Sequence, residues 1–98
     1  MMHVCALAMD LHLPGATSLK SKRSVVRHLV DTSRSRFGVA SAEVGHQDQW
    51  QRCELAFASV SGSAAHVEQV LDAVERFVWS HPTVEVVSTL RTWLDPEV

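Results

Sequence analysis

The side chains with the most chemical potential lie in one short segment, EVGHQDQWQRCEL, at positions 43–55. Five charged or aromatic residues occupy every second position there: His46, Asp48, Trp50, Arg52 and Glu54. A histidine beside a carboxylate is the usual pair for general acid-base catalysis. His46 and Asp48, joined by His12, have donor types that also bind metal ions. The segment therefore raises the questions of catalysis and metal binding first.

Neither chemistry is well supported by the rest of the chain. Acid-base catalysis needs a cleft that shifts the pKa of its groups, and a domain of this size offers only shallow ones. One His-x-Asp is a weak metal signal in a chain whose six histidines are scattered. No nucleophile elbow, phosphate-binding glycine loop or zinc-ligand quartet is present. We therefore expect no enzymatic activity, no metal site and no small-molecule cofactor.

The same segment also fits a β-hairpin whose strands carry charged and aromatic side chains. Residues 39–45 and 51–60 alternate as strands do, and HQDQ provides a short connection between them. In this interpretation Trp50 covers the core at the hairpin, and Arg52 pairs with Glu43 or Glu54 across the strands. The alternative is a hairpin that presents a partner surface, for which the candidate residues are Glu43, Asp48, Trp50, Gln51 and Arg52.

The elements that position this segment follow from the periodicity of the apolar residues. Residues 3–13 alternate with period two and predict a strand that Pro14 and Gly15 end. A helical period begins after Ser18, a plausible N-cap, and runs to Gly38. A second amphipathic helix follows Ser61–Ser63 and ends near His81 and Pro82, and residues 83–93 supply a last strand.

This order of elements predicts an α+β fold, a ferredoxin-like βαββαβ sandwich. Its four-stranded antiparallel sheet packs two helices on one face. No linker, internal repeat or low-complexity segment interrupts the pattern, so we expect one domain over residues 1–98.

Charge is distributed unevenly along the chain, although the net charge is only −2. Six of the nine Lys and Arg residues lie between positions 20 and 36, where Asp31 is the only acid. Such clustering creates a local positive field that attracts phosphates or an acidic partner. The anion or RNA-binding candidates are Lys20, Lys22, Arg23, Arg27 and Arg34. The alternative is that these side chains are solvated or form ion pairs with Glu43, Asp48 or acids of the second helix.

In the predicted fold one face of the sheet carries no helix, and small apolar residues occupy it on both central strands. The residues are Val4, Ala6, Ala8, Ala56, Ala58 and Val60. Domains that stack RNA bases on this face use aromatic residues, which are absent at these positions. A smooth apolar patch favours association with a second copy or another partner, and a solvated sheet centre is the alternative. Trp79 and Trp93 could also belong to an interface.

The cellular setting follows from composition. No stretch approaches the length of a membrane span, and the N-terminal segment has no basic region typical of a signal peptide. Cys5 and Cys53 have no close pairing typical of a metal or redox motif and fit buried hydrophobic positions in a reducing compartment. We expect a cytoplasmic protein without a membrane partner.

Two motifs together resemble the YlxP-like family of small bacterial proteins of unknown function. They are SLKSKRSVVRHLVD, from Ser18, and AEVGHQDQWQRCELAFASVSG, from Ala42. The similarity continues through VLDAVERFVWSHPTVEV. It implies a ferredoxin-like fold, no established enzymatic activity and an association of the genes with translation initiation and ribosome maturation. Ser21 departs from the family, which often has Glu there to complete a capping box with Ser18, so we expect an incomplete box and a less stable helix start. Trp79 replaces a residue that is more commonly polar in the family.

The sequence thus predicts a non-enzymatic protein that forms a homodimer, for which the apolar sheet face is the candidate surface. Ribosomal RNA or a ribosomal subunit is the expected partner of the basic helix. The other hypothesis is a dimeric regulatory or protein-interaction module that uses the apolar sheet face.

Overall fold

Four strands and two helices follow one another in the order βαββαβ. The computed structural model describes residues 1–94. The strands are β1 His3–His12, β2 Ala40–Gly45, β3 Arg52–Ser61 and β4 Glu85–Trp93. The helices are α1 Leu19–Phe37 and α2 Ala64–Trp79. The predicted ferredoxin-like fold is confirmed, and the last strand begins at Glu85 rather than at residue 83.

The strands form one antiparallel sheet in the order β2-β3-β1-β4. In the central pair, Val4 lies opposite Val60 and Ala8 opposite Ala56. Since side chains alternate between the faces of a strand, the intervening residues point to the other side. Those residues form the sheet's half of the core: Cys5, Leu7, Met9, Leu11, Cys53, Leu55 and Phe57.

Both helices pack on this buried face of the sheet. α1 contributes Val26, Leu29 and Val30 from one stripe, and α2 contributes Val67, Leu71, Val74 and Val78. A left-handed residue, Gly38 with φ 68°, ends α1, and its N–H donates to the carbonyl of Arg34. Among the described residues, neither helix is long and apolar enough to cross a membrane.

The two edge strands differ in length and protection. β2 has six residues, its register shifts between Glu43 and Gly45, and the carbonyl of Ser41 accepts a hydrogen bond from Arg34 Nη2 at 2.6 Å. β4 has nine residues and a register shift only near its start. The helix-free face and these edges are therefore the parts of the sheet available to other molecules.

Candidate nucleic-acid interface, hairpin and helix-free face

The N-terminus of α1 is capped by two serines. Ser18 Oγ accepts from the N–H of Ser21 at 3.1 Å, and Ser21 Oγ accepts from the N–H of Ser18 at 3.2 Å. The N–H of Thr17 also donates to Ser21 Oγ. The expectation that Ser21 leaves the capping box incomplete is wrong, because the serine hydroxyl performs the reciprocal contact expected of a glutamate.

Three cations lie exposed along the outer side of α1. Lys20, Arg23 and Arg27 are separated by three and four residues, a spacing that places them on one helix face. They line a shallow groove together with Ser24, His28, Asp31 and Thr32. Within residues 1–94 none of the three forms an ion pair. We call Lys20, Arg23 and Arg27 the basic triad.

Lys22 does not lie on this surface, so its assignment to the anion-binding set needs correction. Its residue surface is only 1% exposed. Its ammonium lies 2.9 Å from Glu43 Oε2 and donates to the carbonyl of His46 at 2.6 Å. Position 22 falls on the buried stripe with Val26 and Leu29, which was the sequence signal for burial. Lys22 thus links α1 to the hairpin and cannot contact an external anion.

Arg34 is exposed, but its guanidinium already has partners. Nη2 donates to the carbonyl of Ser41 at 2.6 Å, and Nη1 lies 4.0 Å from Asp31 Oδ1. Arg34 also lies outside the groove of the basic triad. Its structural contribution is to join the C-terminal part of α1 to the edge strand β2.

The loop between β2 and β3 is fixed at both ends. His46 has φ 58°, a left-handed conformation that costs energy for a residue other than glycine. The Lys22 ammonium binds its carbonyl and thereby favours this conformation. At the other end, Gln51 Nε2 donates to the carbonyls of Pro14 and Ala16, and its own carbonyl accepts from the N–H of Leu13. The loop is therefore a preorganised surface feature.

Arg52 has a different partner from the one expected. Its Nη2 lies 2.7 Å from Asp10 Oδ2 on the neighbouring strand β1, rather than against Glu43 or Glu54. The register explains this choice, because Asp10 lies opposite Glu54 and diagonally from Arg52. His46 Nε2 lies 3.8 Å from the other oxygen of Asp10. Sequence analysis missed Asp10 since only the strand register reveals this neighbourhood.

The residues first considered for catalysis are divided between two contacts. His46 lies against Asp10, whereas Asp48 lines a shallow pocket with His12 and Trp50. His12 Nδ1 is 3.2 Å from Glu85 Oε2. Among residues 1–94, no three His, Cys, Asp or Glu side chains could jointly hold a metal ion. The arrangement provides ion pairs and hydrogen bonds at one end of the sheet.

Trp50 does not cover the core, as the structural interpretation of the hairpin expected. Its indole is on the protein surface, with 52% of the residue exposed. The pocket beside it is lined by Asp48, Gln51 and Arg52, so the hairpin candidates other than Glu43 share one surface. Trp79 and Trp93 are exposed as well, at the end of α2 and of β4.

The helix-free face brings the expected small residues together. Ala6 lies opposite Ala58, and Ala8 opposite Ala56, so the centre of this face is lined by methyl groups. Ala40 and Ala42 extend it across β2, and Leu90 extends it across β4. Val60 and Leu90 are 64% and 66% exposed. Sequence analysis did not include Leu90, because the register of β4 places it there.

Both cysteines are buried free thiols. The pKa of Cys53 is raised to about 12, chiefly by burial and also by the nearby Glu43 carboxylate, whereas Lys22 acts in the opposite direction. Burial also raises the pKa of Cys5. Because the thiolate is the reactive form, neither side chain is prepared for nucleophilic chemistry.

Solved structures support the fold at low sequence identity. A de novo designed protein, Foldit4, shares it with a TM-score of 0.54 and 10% identity, over 94% of this chain and 97% of that one. A dimeric ferredoxin-like protein from an uncultured marine organism matches with a TM-score of 0.52 and 10% identity, over the whole of both chains.

Sequence comparison provides the family. An uncharacterized protein of Bacillus subtilis (strain 168), YlxP, is 37% identical over 78 residues, covering 80% of this chain and 85% of that protein. The model of a protein family of unknown function, DUF503, matches residues 4–91. This match includes both helices, all of the hairpin and most of β1 and β4, the first and last strands of the chain. The chain belongs to the DUF503 family.

Proposed function

We propose that this chain is a non-enzymatic, cytoplasmic RNA-binding protein that acts in translation or ribosome maturation, with the basic triad as its phosphate-binding surface. The observation that carries the proposal is the exposure of Lys20, Arg23 and Arg27 in one groove, without an ion pair to any residue of 1–94. Cations whose charge is not neutralised internally are available to external phosphates.

The geometry fits contacts to an RNA backbone. The seven residue steps from Lys20 to Arg27 span about 10 Å along the helix axis, at about 1.5 Å per residue. This distance allows the triad to contact successive phosphates of one strand. Ser24 and His28 add hydrogen-bonding groups to the same groove. Phosphate contacts position a nucleic acid without reading its bases, so we expect little sequence preference.

The ribosomal part of the proposal depends on the family resemblance, which implies a gene association with translation. Ribosomal RNA and ribosomal subunits are therefore the partners to test. Two negative charges nearby oppose binding only weakly: Asp31 lies in the groove but is near Arg34, and Glu43 is paired with Lys22.

Matched single charge reversals test the proposal. Binding of a fluorescein-labelled RNA of ribosomal sequence is measured by anisotropy at low salt. Arg23→Glu should weaken binding about tenfold, because it replaces a phosphate contact with a repulsive charge. Arg76→Glu on α2 is the control, since Arg76 is exposed, forms no ion pair within residues 1–94 and gives the same change in net charge. Equal losses for the two variants, or no RNA binding at all, would contradict the proposal.

The helix-free face supports a second candidate function, a dimeric regulatory or protein-interaction module. An apolar surface that carries Leu90 and Val60 at its margins is typical of a partner surface. A dimeric protein of the same fold supports association of this kind without defining its geometry. Ala6→Glu would place a carboxylate at the centre of the face and should abolish partner binding there. Retention of every protein contact in this variant would exclude the face as the binding surface.

A further inference from the structure

The outer edge of β4 is the less protected edge of the sheet. Natural proteins usually protect sheet edges with short strands, bulges, charges or prolines, because unpaired N–H and C=O groups attract another strand. On β2 the strand is short, its register shifts and Arg34 occupies the carbonyl of Ser41. β4 is nine residues long and contains no proline or lysine. Within residues 1–94, no strand lies beyond it.

The two charges of β4 do not protect this edge. Arg91 is directed to α2, where its Nη2 lies 2.7 Å from Asp72 Oδ1 and 3.7 Å from Glu75 Oε1. Glu85 contacts His12 of β1. The other exposed residues near the edge are uncharged: the apolar Val87, Leu90, Trp93 and Leu94 lie among Ser88, Thr89 and Thr92. An edge of this composition lacks the repulsive charges that prevent strand pairing.

The hydrogen-bonding direction of the β4 backbone shows which of its N–H and C=O groups are available to pair with another strand. The N–H of Leu94 donates to the carbonyl of Val4 at 2.9 Å. Because hydrogen-bonding direction alternates along an antiparallel strand, Leu90 also faces β1. The N–H and C=O groups of Thr89, Arg91 and Trp93 consequently face away from the sheet. This outward row is regular, since the register shift of β4 precedes Ser88.

We propose that the β4 strands of two copies of this chain pair antiparallel about a two-fold axis at Leu90, joining two sheets into one of eight strands. This register places Thr89 of each copy opposite Arg91 of the other, so their outward N–H and C=O groups exchange hydrogen bonds. The two Leu90 side chains meet as a closely spaced pair on the helix-free face.

Side-chain complementarity favours this register over one centred on Arg91. An axis at Arg91 would place two guanidinium groups directly opposite each other, and like charges destabilise such a pair. The axis at Leu90 avoids this repulsion and brings Trp93 of one copy towards Val87 of the other, at the register shift near the start of β4. Both side chains are exposed, and an aromatic residue beside a β-branched one favours strand association. The second copy is therefore preferred to an unrelated strand, because the edge is complementary to itself. The pairing leaves the basic triad on the outer side of each α1.

The test uses the amide that faces outward. Thr89→Pro removes an N–H needed for pairing, while the N–H groups of Ser88 and Leu90, which face β1, remain. Thr89→Val retains the amide and is the matched control. Sedimentation velocity over a concentration series should show dimers for the wild type and Thr89→Val. The dimer dissociation constant should rise about tenfold or more for Thr89→Pro, because two symmetry-related hydrogen bonds are lost.

A second variant separates edge pairing from packing through the helix-free face. Ala6→Glu lies on β1, away from the outer edge of β4, and should remain dimeric. A dimer that survives Thr89→Pro but is lost in Ala6→Glu would overturn the proposal in favour of face packing. A wild-type chain that is monomeric at every concentration would also overturn it.

Disulfide formation provides a test that does not require Thr89→Pro to fold. In Leu90→Cys the two Cα atoms should lie about 4.5 Å apart in a closely spaced pair, a distance within the range for a disulfide. Oxidation should give a covalent dimer. Val44→Cys on β2 is an exposed control that should form no covalent dimer under the same conditions, and Cys5 and Cys53 are buried and do not interfere. Absence of the Leu90 disulfide, or equal linkage through Val44, would contradict the pairing.

Discussion

Replacing the buried Lys22 with methionine should destabilise the protein far more than the same change at Lys20. Lys22→Met preserves most of the side-chain volume and removes the ammonium. That ammonium makes a charged hydrogen bond of 2.6 Å to the carbonyl of His46 and an ion pair of 2.9 Å with Glu43. The substitution leaves the Glu43 carboxylate, whose side chain is only 20% exposed, without its cation.

The expected magnitude follows from these contacts. Removing one member of a buried ion pair typically costs about 3–5 kcal/mol, and a hydrogen bond from a charged group contributes about 1.5–3 kcal/mol. These two values overlap because they describe the same ammonium, and the partial exposure of Glu43 favours the lower end. We expect Lys22→Met to reduce the free energy of unfolding by about 3 kcal/mol. Lys20→Met, on the exposed face, should change it by about 0.5 kcal/mol or less.

Urea denaturation followed by circular dichroism measures both values. The double variant Lys22→Met, Glu43→Gln should recover about 1 kcal/mol or more relative to Lys22→Met, because the unpaired carboxylate is removed. A loss below about 1 kcal/mol for Lys22→Met, or equal losses at positions 20 and 22, would refute the assignment of Lys22 as the internal link between α1 and the hairpin. Folded Lys22→Met should bind RNA with unchanged affinity, since Lys22 does not belong to the basic triad.

Two further predictions concern the helix start and the buried thiol. Ser21→Ala should lower the free energy of unfolding by about 1 kcal/mol, because the N–H of Ser18 loses its acceptor. Ser21→Glu should retain most of the wild-type stability, since a glutamate can accept the same N–H. Equal losses for both variants in urea denaturation would contradict the capping role. The pKa of Cys53 is raised by burial from 9.0 to about 12, so the unfolded chain loses this proton first as pH rises. The resulting stability is complete below about pH 9 and lost between about pH 9 and 12. Thermal unfolding of Cys53→Ala across this range should therefore depend less on pH than that of the wild type, and an identical pH dependence would refute the assignment.

The fold could be predicted from the sequence because its periodicities are strong. The period-two alternation in β1 and the apolar stripes of α1 and α2 correspond to the residues that the structure buries in the core. Lys22 shows where this reasoning failed. Its charge suggested a surface position, whereas its spacing from Val26 and Leu29 placed it on the buried stripe. A buried cation is stable only with a specific partner, and Glu43 becomes that partner through tertiary structure.

The candidate sites were less predictable because they depend on strand register. The small residues of β1 and β3 could be assigned to the helix-free face from alternation, since those strands run regularly side by side. Leu90 could not, because the register shift in β4 decides which of its residues share that face. The pairing of Arg52 with Asp10 likewise required the register. Local pattern thus predicts elements, and contacts between elements need the assembled sheet.

The salt dependence of RNA binding tests the central claim most directly. If the basic triad contacts three phosphates of a single strand, the logarithm of the binding constant should fall with the logarithm of salt concentration with a slope of about −2, at about −0.7 per contact. The variant in which Lys20, Arg23 and Arg27 are all replaced by Glu should lose both the binding and this slope, while Arg76→Glu should retain them. A slope near zero for the wild type, or the same slope in the triple variant, would contradict phosphate recognition by the basic triad.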